Sequence, residues 1–252
     1  MEKPVSMPNL PCGKVKSVLY GERYRRKLEH ELLKRNIKSE TISDYIHVSE
    51  HVRGHIDLCC CHISHGKSVV AQSAAETLSD ILVKYGIDCI IGPDIKTDNY
   101  PDEIAYNAAV VGDNLFCKKE NTASLIADTS INLKLELIDC RQGYAKCSIA
   151  IIDRDAIITS DSNIAKKATE RGIAVLQISP GHITLDGYPY GFIGGCCMKT
   201  AADTIAFTGT LDEHPDKDRI ENFLINRNMK IDYLTQEKIF DIGSFILLSE
   251  EL

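Results

Sequence analysis

One junction recurs in the pattern of polar and apolar positions: a charged amphipathic stretch of helical period, then Gly or Asn, then a short apolar run. It reads KRN-IKSETI at Asn36, KYG-IDCIIG at Gly86, SIN-LKLELI at Asn132, ERG-IAVLQI at Gly172 and NRN-MKIDYL at Asn228. Gly and Asn accept the left-handed conformation that ends a helix, and Lys or Arg in the last turn suits the helix dipole. Each junction therefore predicts a helix C-cap followed by a strand. Upstream of four of them lie paired β-type runs: IDLCCCHI-SHGK-SVVA, YNAAVV-GDN-LFCK, KCSIAII-DRD-AIITS and IGGCCM-KTAAD-TIAF. Polar links between such runs predict hairpins, so each unit reads strand, turn, strand, helix, strand.

The first unit lacks its opening strand, since Ser17–Gly21 supplies a single run before the helical stretch Arg23–Arg35. The last apolar segment, Phe240–Leu248, has no helix after it and can fill that gap. A stack whose two ends complete one unit is a closed ring, whereas an open solenoid needs polar capping repeats. The expected fold is an α/β, five-bladed propeller of pseudo-fivefold ββαβ units closed by the C-terminal strand. Residues 15–252 form its single domain, with 1–14 as an N-terminal extension.

Charge and composition narrow the function. The 252 residues carry 29 Lys and Arg against 36 Asp and Glu, a net charge of -7, and the longest basic run is Arg25-Arg26-Lys27. An electrostatic grip on nucleic acid is not expected. No run of apolar residues is long enough to span a bilayer and the N-terminus has no apolar export signal, so no membrane partner and a cytoplasmic location are expected. The ten cysteines then read as reduced, mostly buried thiols.

A ring of ββαβ units whose termini meet in one blade resembles the pentein fold of the guanidino-group modifying enzymes. That superfamily includes arginine deiminases, amidinotransferases and dimethylarginine dimethylaminohydrolases. Over residues 15–248 the runs GHIDL, YPDEIAYNA, QGYAKCSIAI, YGFIGG and DIGS look most like an uncharacterised bacterial family of that fold. The resemblance implies a site at one end of the channel-lining strands. It falls on Gly54 to Asp57, Tyr106-Asn107, Tyr144 to Cys147, Ile193 to Gly195 and Asp241 to Ser244.

Asp57 matches the aspartate of an E-G-G-D type motif, which in the superfamily binds the substrate's cationic group; the motif's glutamate position is Gly54. The superfamily's H-L-K-S type pattern falls on Tyr144-Ala145-Lys146-Cys147, so Tyr144 stands where it carries its catalytic His. Ser244 or a neighbour stands for its C-terminal nucleophilic Cys. A serine hydroxyl does not replace a thiolate unaided, so the usual hydrolysis is not expected. The catalytic candidates are His55, Asp57 and Lys146. The substrate-binding candidates are Asp57, Asn107, Tyr144, Asp241 and Ser244. For His55 with Asp57 the alternative is a structural hydrogen-bonded pair, and for Lys146 a salt bridge.

Strand alternation sends Cys59 and Cys61 to one face and Cys60 and His62 to the other, so this run reads as packing rather than a zinc cluster. By the same alternation Lys146 points into the channel and Cys147 packs outward. No metal and no cofactor are expected. The expected partner is a small, polar, cationic molecule of guanidino or amidino type, bound or modified in the channel. The alternatives are a non-catalytic ligand-binding or interaction protein on the same ring, or another reaction through Ser244 or Cys147.

Overall fold

A computed structural model describes residues 2–252. The chain begins with β1 (Glu2–Pro4) and β2 (Lys14–Gly21), then α1 (Arg25–Lys34) and β3 (Lys38–Ile42). The second unit is β4 (Cys60–Ser64), β5 (Lys67–Ala71), α2 (Ala75–Lys84) and β6 (Asp88–Gly92). The third is β7 (Ala109–Val111), β8 (Asn114–Cys117), α3 (Ser124–Asn132) and β9 (Glu136–Asp139). A helical turn, α4 (Ala145–Ser148), opens the fourth, followed by β10 (Ala150–Asp153), β11 (Ala156–Thr159), α5 (Ser162–Thr169) and β12 (Ala174–Gln177). The fifth holds β13 (Cys197–Ala201), β14 (Thr204–Phe207), α6 (Lys217–Ile225) and β15 (Lys230–Tyr233), and β16 (Ile246–Glu251) ends the chain.

Among the described residues these strands form five small sheets. In units two to five the first strand pairs antiparallel with the second, and the second pairs parallel with the third across the helix. The first sheet follows the same plan with a strand from the far end of the chain, because β16 lies antiparallel to β2 and β2 parallel to β3. The N-terminal extension joins this sheet through β1, which pairs with the outer side of β16.

Each long helix seats an apolar pair or single side chain against its own sheet: Leu28 and Leu32, Leu78 and Leu82, Ile126, Ile164 and Ala168, Ile220 and Leu224. Spacing of four places two side chains on one helix face, and each fully buried Leu or Ile contributes about 1.5–3 kcal/mol. Cys59, Cys60 and Cys61 pack in the largest of the apolar clusters, and among the described residues all the cysteines are free thiols. No helix among them is long and apolar enough to cross a membrane.

The five long helices all close with the same backbone bond, from an amide five residues on to a carbonyl: Ile37 to Leu32, Ile87 to Leu82, Leu135 to Ser130, Ile173 to Ala168 and Met229 to Leu224. This is the Schellman arrangement, and the residue before each donor is left-handed. At four ends that residue is the expected Asn36, Gly86, Gly172 or Asn228. At the fifth it is Lys134, with φ 58°, and not Asn132, which is still the last residue of α3. A Cβ in that conformation costs roughly 1–2 kcal/mol, while Gly costs more order on folding. Lys134→Gly is therefore expected to raise stability by up to about 1 kcal/mol in a denaturant titration.

Two strand expectations are corrected. The closing strand covers Ile246–Glu251 instead of Phe240–Leu248, because Gly243 and Ser244 are both left-handed, with φ 70° and 74°, and no strand passes through two such residues. The site-bearing stretches are not strands either. His55 leads into a 3-10 turn at Ile56–Leu58, α4 carries Lys146 and Cys147, and a 3-10 turn covers Ile193–Cys196.

Candidate functional site

These turns, with the bend at Asp241 to Ser244, bring side chains from well-separated segments to one buried point. Asp57 is its hub. One carboxylate oxygen, Oδ2, accepts from Cys147 Sγ at 2.9 Å and from Ser244 Oγ at 3.1 Å. Lys146 Nζ donates to Ser244 Oγ at 2.8 Å, so a cation, a hydroxyl and a carboxylate stand in line. Asn107 ties the segments together. Its Oδ1 accepts from the Lys146 amide at 2.7 Å and its Nδ2 donates to Cys147 Sγ at 3.3 Å and to the Asp57 carbonyl at 3.4 Å. Asp57, Asn107, Lys146 and Ser244 thus meet at one buried point.

Cys147 does not pack outward. Successive residues on a helical turn are about 100° apart, against 180° on a strand, so Lys146 and Cys147 both reach the centre. His55, 2% exposed, joins them: Nδ1 or Nε2 of His55, an oxygen of Asp57 and Sγ of Cys147 lie within 4.8 Å of one another. Two glycines make the crowding possible. A Cβ on Gly243 would stand 2.2 Å from the His55 Cβ, and one on Gly195 would stand 1.8 Å from Asp241 Oδ1.

Burial sets the electrostatics. Loss of solvent pushes the Asp57 carboxyl above its ordinary range, against the pull of His55, Lys146 and the Cys147 thiol. Burial, with the Asp57 and Asp241 charges behind it, pushes the Cys147 thiol well up. The Tyr144 phenol is raised by burial and then by its hydrogen bond to Glu103. A buried thiol donating to a carboxylate is a protonated thiol, and thus a poor nucleophile as it stands.

Above this centre lies a cavity of about 230 Å³ lined by His55, Cys147, Tyr144 and Asp241, with Val52 and the segment Leu185, Tyr188, Pro189, Tyr190 and Phe192. Asp241, 2% exposed, accepts from the Phe192 and Gly243 amides at 2.8 Å each. It also lines an adjoining cavity of about 160 Å³ together with Tyr24 and Asp186. Asp57, Asn107, Lys146 and Ser244 are not among the residues lining the larger cavity; they stand behind it. Tyr144 is a wall residue with a committed hydroxyl: it donates to Glu103, whose other oxygen accepts from the Ser49 amide at 2.9 Å.

From the sequence Cys147 is placed on the site segment but turned outward and left off the candidates, and Glu103 as the anchor of Tyr144 and the aromatic segment are missed. The last left a trace, because the stretch between β12 and β13 is long, has no regular strand or helix before the turn at Ile193, and carries Tyr188, Tyr190 and Phe192 at alternate positions. Loops of that length in compact domains are commonly functional.

Repeated strand, strand, helix, strand units are the plan of the pentein fold, the fold of the guanidino-group modifying enzymes. Residues 19–246 match a family of unknown function (DUF6873), and the chain belongs to that family. Among curated proteins no sequence matches it. Solved structures do. An amidinotransferase from Microseira wollei in the saxitoxin biosynthetic pathway is similar with a TM-score of 0.60 at 9% identity, over 99% of this chain and 98% of that one. A dimethylarginine dimethylaminohydrolase from Pseudomonas aeruginosa, in a Cys-to-Ser mutant complexed with citrulline, gives 0.56 at 7%, over 95% and 100%. An inosamine-phosphate amidinotransferase from Streptomyces griseus gives 0.55 at 11%, over 98% and 97%. At such identities the likeness carries the fold alone.

Proposed function

We propose that this protein holds a small cationic molecule of guanidino or amidino type in the 230 Å³ cavity, at the mouth of a channel enclosed by the five sheets as a closed ring. The observation that carries the reading is the cavity's lining. It combines a buried carboxylate, Asp241, with Tyr144, Tyr188, Tyr190 and Phe192, and holds no lysine or arginine. A planar cation is attracted to aromatic faces and to a carboxylate together, and each oxygen of Asp241 keeps a free lone pair after its single amide bond. The ring closure is supported by the pairing of β16 with β2 and by the meeting of distant turns at Asp57. Asp57 acts from behind Cys147, fixing the floor rather than touching the ligand.

Binding without the usual pentein hydrolysis fits this geometry. Tyr144 stands where the resemblance implies a proton-shuttling His, and its phenol is bound to Glu103 and raised above its ordinary range. Ser244 stands where it implies the nucleophile, and its hydroxyl is held between Lys146, Asp57 and the Gly194 carbonyl.

Thermal unfolding with arginine and agmatine, and with uncharged citrulline as control, tests the reading. A ligand at about 100 times its dissociation constant adds roughly 2.7 kcal/mol, which for a chain of this size raises Tm by about 5–10 °C. The cations are expected to stabilise the protein and citrulline much less, and Asp241→Asn is expected to weaken cation binding about tenfold or more. An absence of any shift with the cations, or an equal one with citrulline, overturns the reading.

A further inference from the structure

At the floor of the cavity and just behind it are two buried side-chain atoms with no hydrogen-bond partner, His55 Nε2 and Asp57 Oδ1. Both residues are at least nine-tenths buried, and a polar atom left in that state costs about 1–3 kcal/mol. Beside them stands the Cys147 sulfur, whose hydrogen points at the other oxygen of Asp57. We propose that His55, Asp57 and Cys147 form a site for a divalent transition-metal ion of the zinc class, with an open position facing the cavity.

The donor set selects the ion. One imidazole, one thiolate and one carboxylate suit zinc and its borderline neighbours, whereas magnesium and calcium take oxygen ligands. The geometry is close to what such an ion needs. A tetrahedral zinc with bonds of about 2.0–2.3 Å keeps its donor atoms roughly 3.3–3.6 Å apart. The three donors lie within 4.8 Å of one another, so small side-chain rotations bring them to that spacing.

The surroundings already hold the ligands in place, as the outer partners of metal-binding side chains do. Ser244 Oγ occupies Oδ2 of Asp57, which leaves Oδ1 free to turn to an ion. Asn107 Nδ2 donates to Cys147 Sγ at 3.3 Å, a bond that favours thiolate over thiol. The backbone of Gly243 packs so close to His55 that no side chain fits between them, which confines the ring's stem. Binding breaks the Cys147 S–H bond and forms a sulfur–metal bond, and the proton leaves to solvent. One thiolate and one carboxylate then balance a dication. His55 and Cys147 line the cavity, so the remaining position faces it, as in zinc sites that act on a ligand rather than merely hold a fold together.

This site does not depend on the guanidino reading, and its test contains no organic ligand. The full chain, dialysed against chelator, is titrated with cobalt(II) and then with zinc(II). The expected result is one cobalt per chain with a thiolate-to-cobalt charge-transfer band and tetrahedral ligand-field bands, displaced by one equivalent of zinc. The band is expected to vanish in Cys147→Ser. Zinc affinity is expected to fall at least about tenfold in His55→Gln and in Asp57→Asn, and to be unchanged in Cys12→Ala, whose sulfur is exposed. A wild-type chain without the thiolate band, which requires no variant to fold, overturns the proposal. So does a band that survives in Cys147→Ser.

Discussion

A chain that ends at Phe245 is expected to lose the cooperative unfolding transition of the full protein. The missing strand, β16, is interior to its sheet, in the order β1, β16, β2, β3, so its loss frees β1 and strips one whole side of β2. Ile246, Leu247 and Leu248 are 5%, 1% and 0% exposed, and burying three such side chains contributes roughly 5–9 kcal/mol. That is comparable with the entire stability of an ordinary domain, about 5–15 kcal/mol, before the ladder bonds along β2 are considered. The exposed edge of β2 would also be free to pair with other chains. Circular dichroism through a urea titration checks this. A truncated chain with the midpoint and slope of the full one would show that β16 is an accessory strand.

The C-terminal strand was legible because an apolar run stood at the end of the chain with nothing local to pair with, while the first unit lacked a strand. Its limits were not, since the turn at Gly243-Ser244 depends on the backbone meeting Asp57 and Gly195 from distant segments. The helix ends were legible at Asn36, Gly86, Gly172 and Asn228, where the residue type itself favours the left-handed conformation. At Lys134 the cap is imposed by the run of α3 and by the bond from Leu135 to Ser130, so residue type pointed two positions too early.

The site was readable as a set of segments and misread in its side-chain directions. Alternation is a property of strands, and the outward direction expected of Cys147 rests on it, whereas Lys146 and Cys147 stand on a helical turn just ahead of the strand. Asp57, Lys146 and Ser244 meet regardless, because each sits in a turn that carries it to the same buried point. The thiol of Cys147 and the aromatic walls were hidden for different reasons. The first needed the local turn, and the second needed a loop to fold back over segments far away in sequence, as Ser49 Oγ meeting Tyr188 OH at 3.1 Å illustrates.

Glu250 is expected to be the most costly single side chain to remove outside the site, and its contribution should depend on pH with a definite sign. The side chain is fully buried at the edge of β16, where its two oxygens accept from the Ser6 amide and hydroxyl at 2.8 and 2.6 Å and from the amides of Cys12 and Gly13 at 2.5 and 2.7 Å. Glu250→Ala strands three backbone amides and a hydroxyl, and a loss of about 3–5 kcal/mol is expected, or roughly 6–20 °C in Tm. Burial alone would raise the carboxyl's pKa, but the bonds from Ser6, Gly13 and Cys12 outweigh it and hold the pKa below the ordinary glutamate value. A folded pKa below the unfolded one means that the stabilisation is complete above the unfolded value and is lost as pH falls through the folded one. Glu250→Gln mimics the protonated side chain. The stability gap between wild type and Glu250→Gln should therefore be widest near about pH 7 and shrink below about pH 4.5, while titrations shared by both proteins cancel. Urea titrations of the pair across that range decide it, and a gap that stays constant into acid would mean that the carboxylate's charge is not what binds the N-terminal segment to β16.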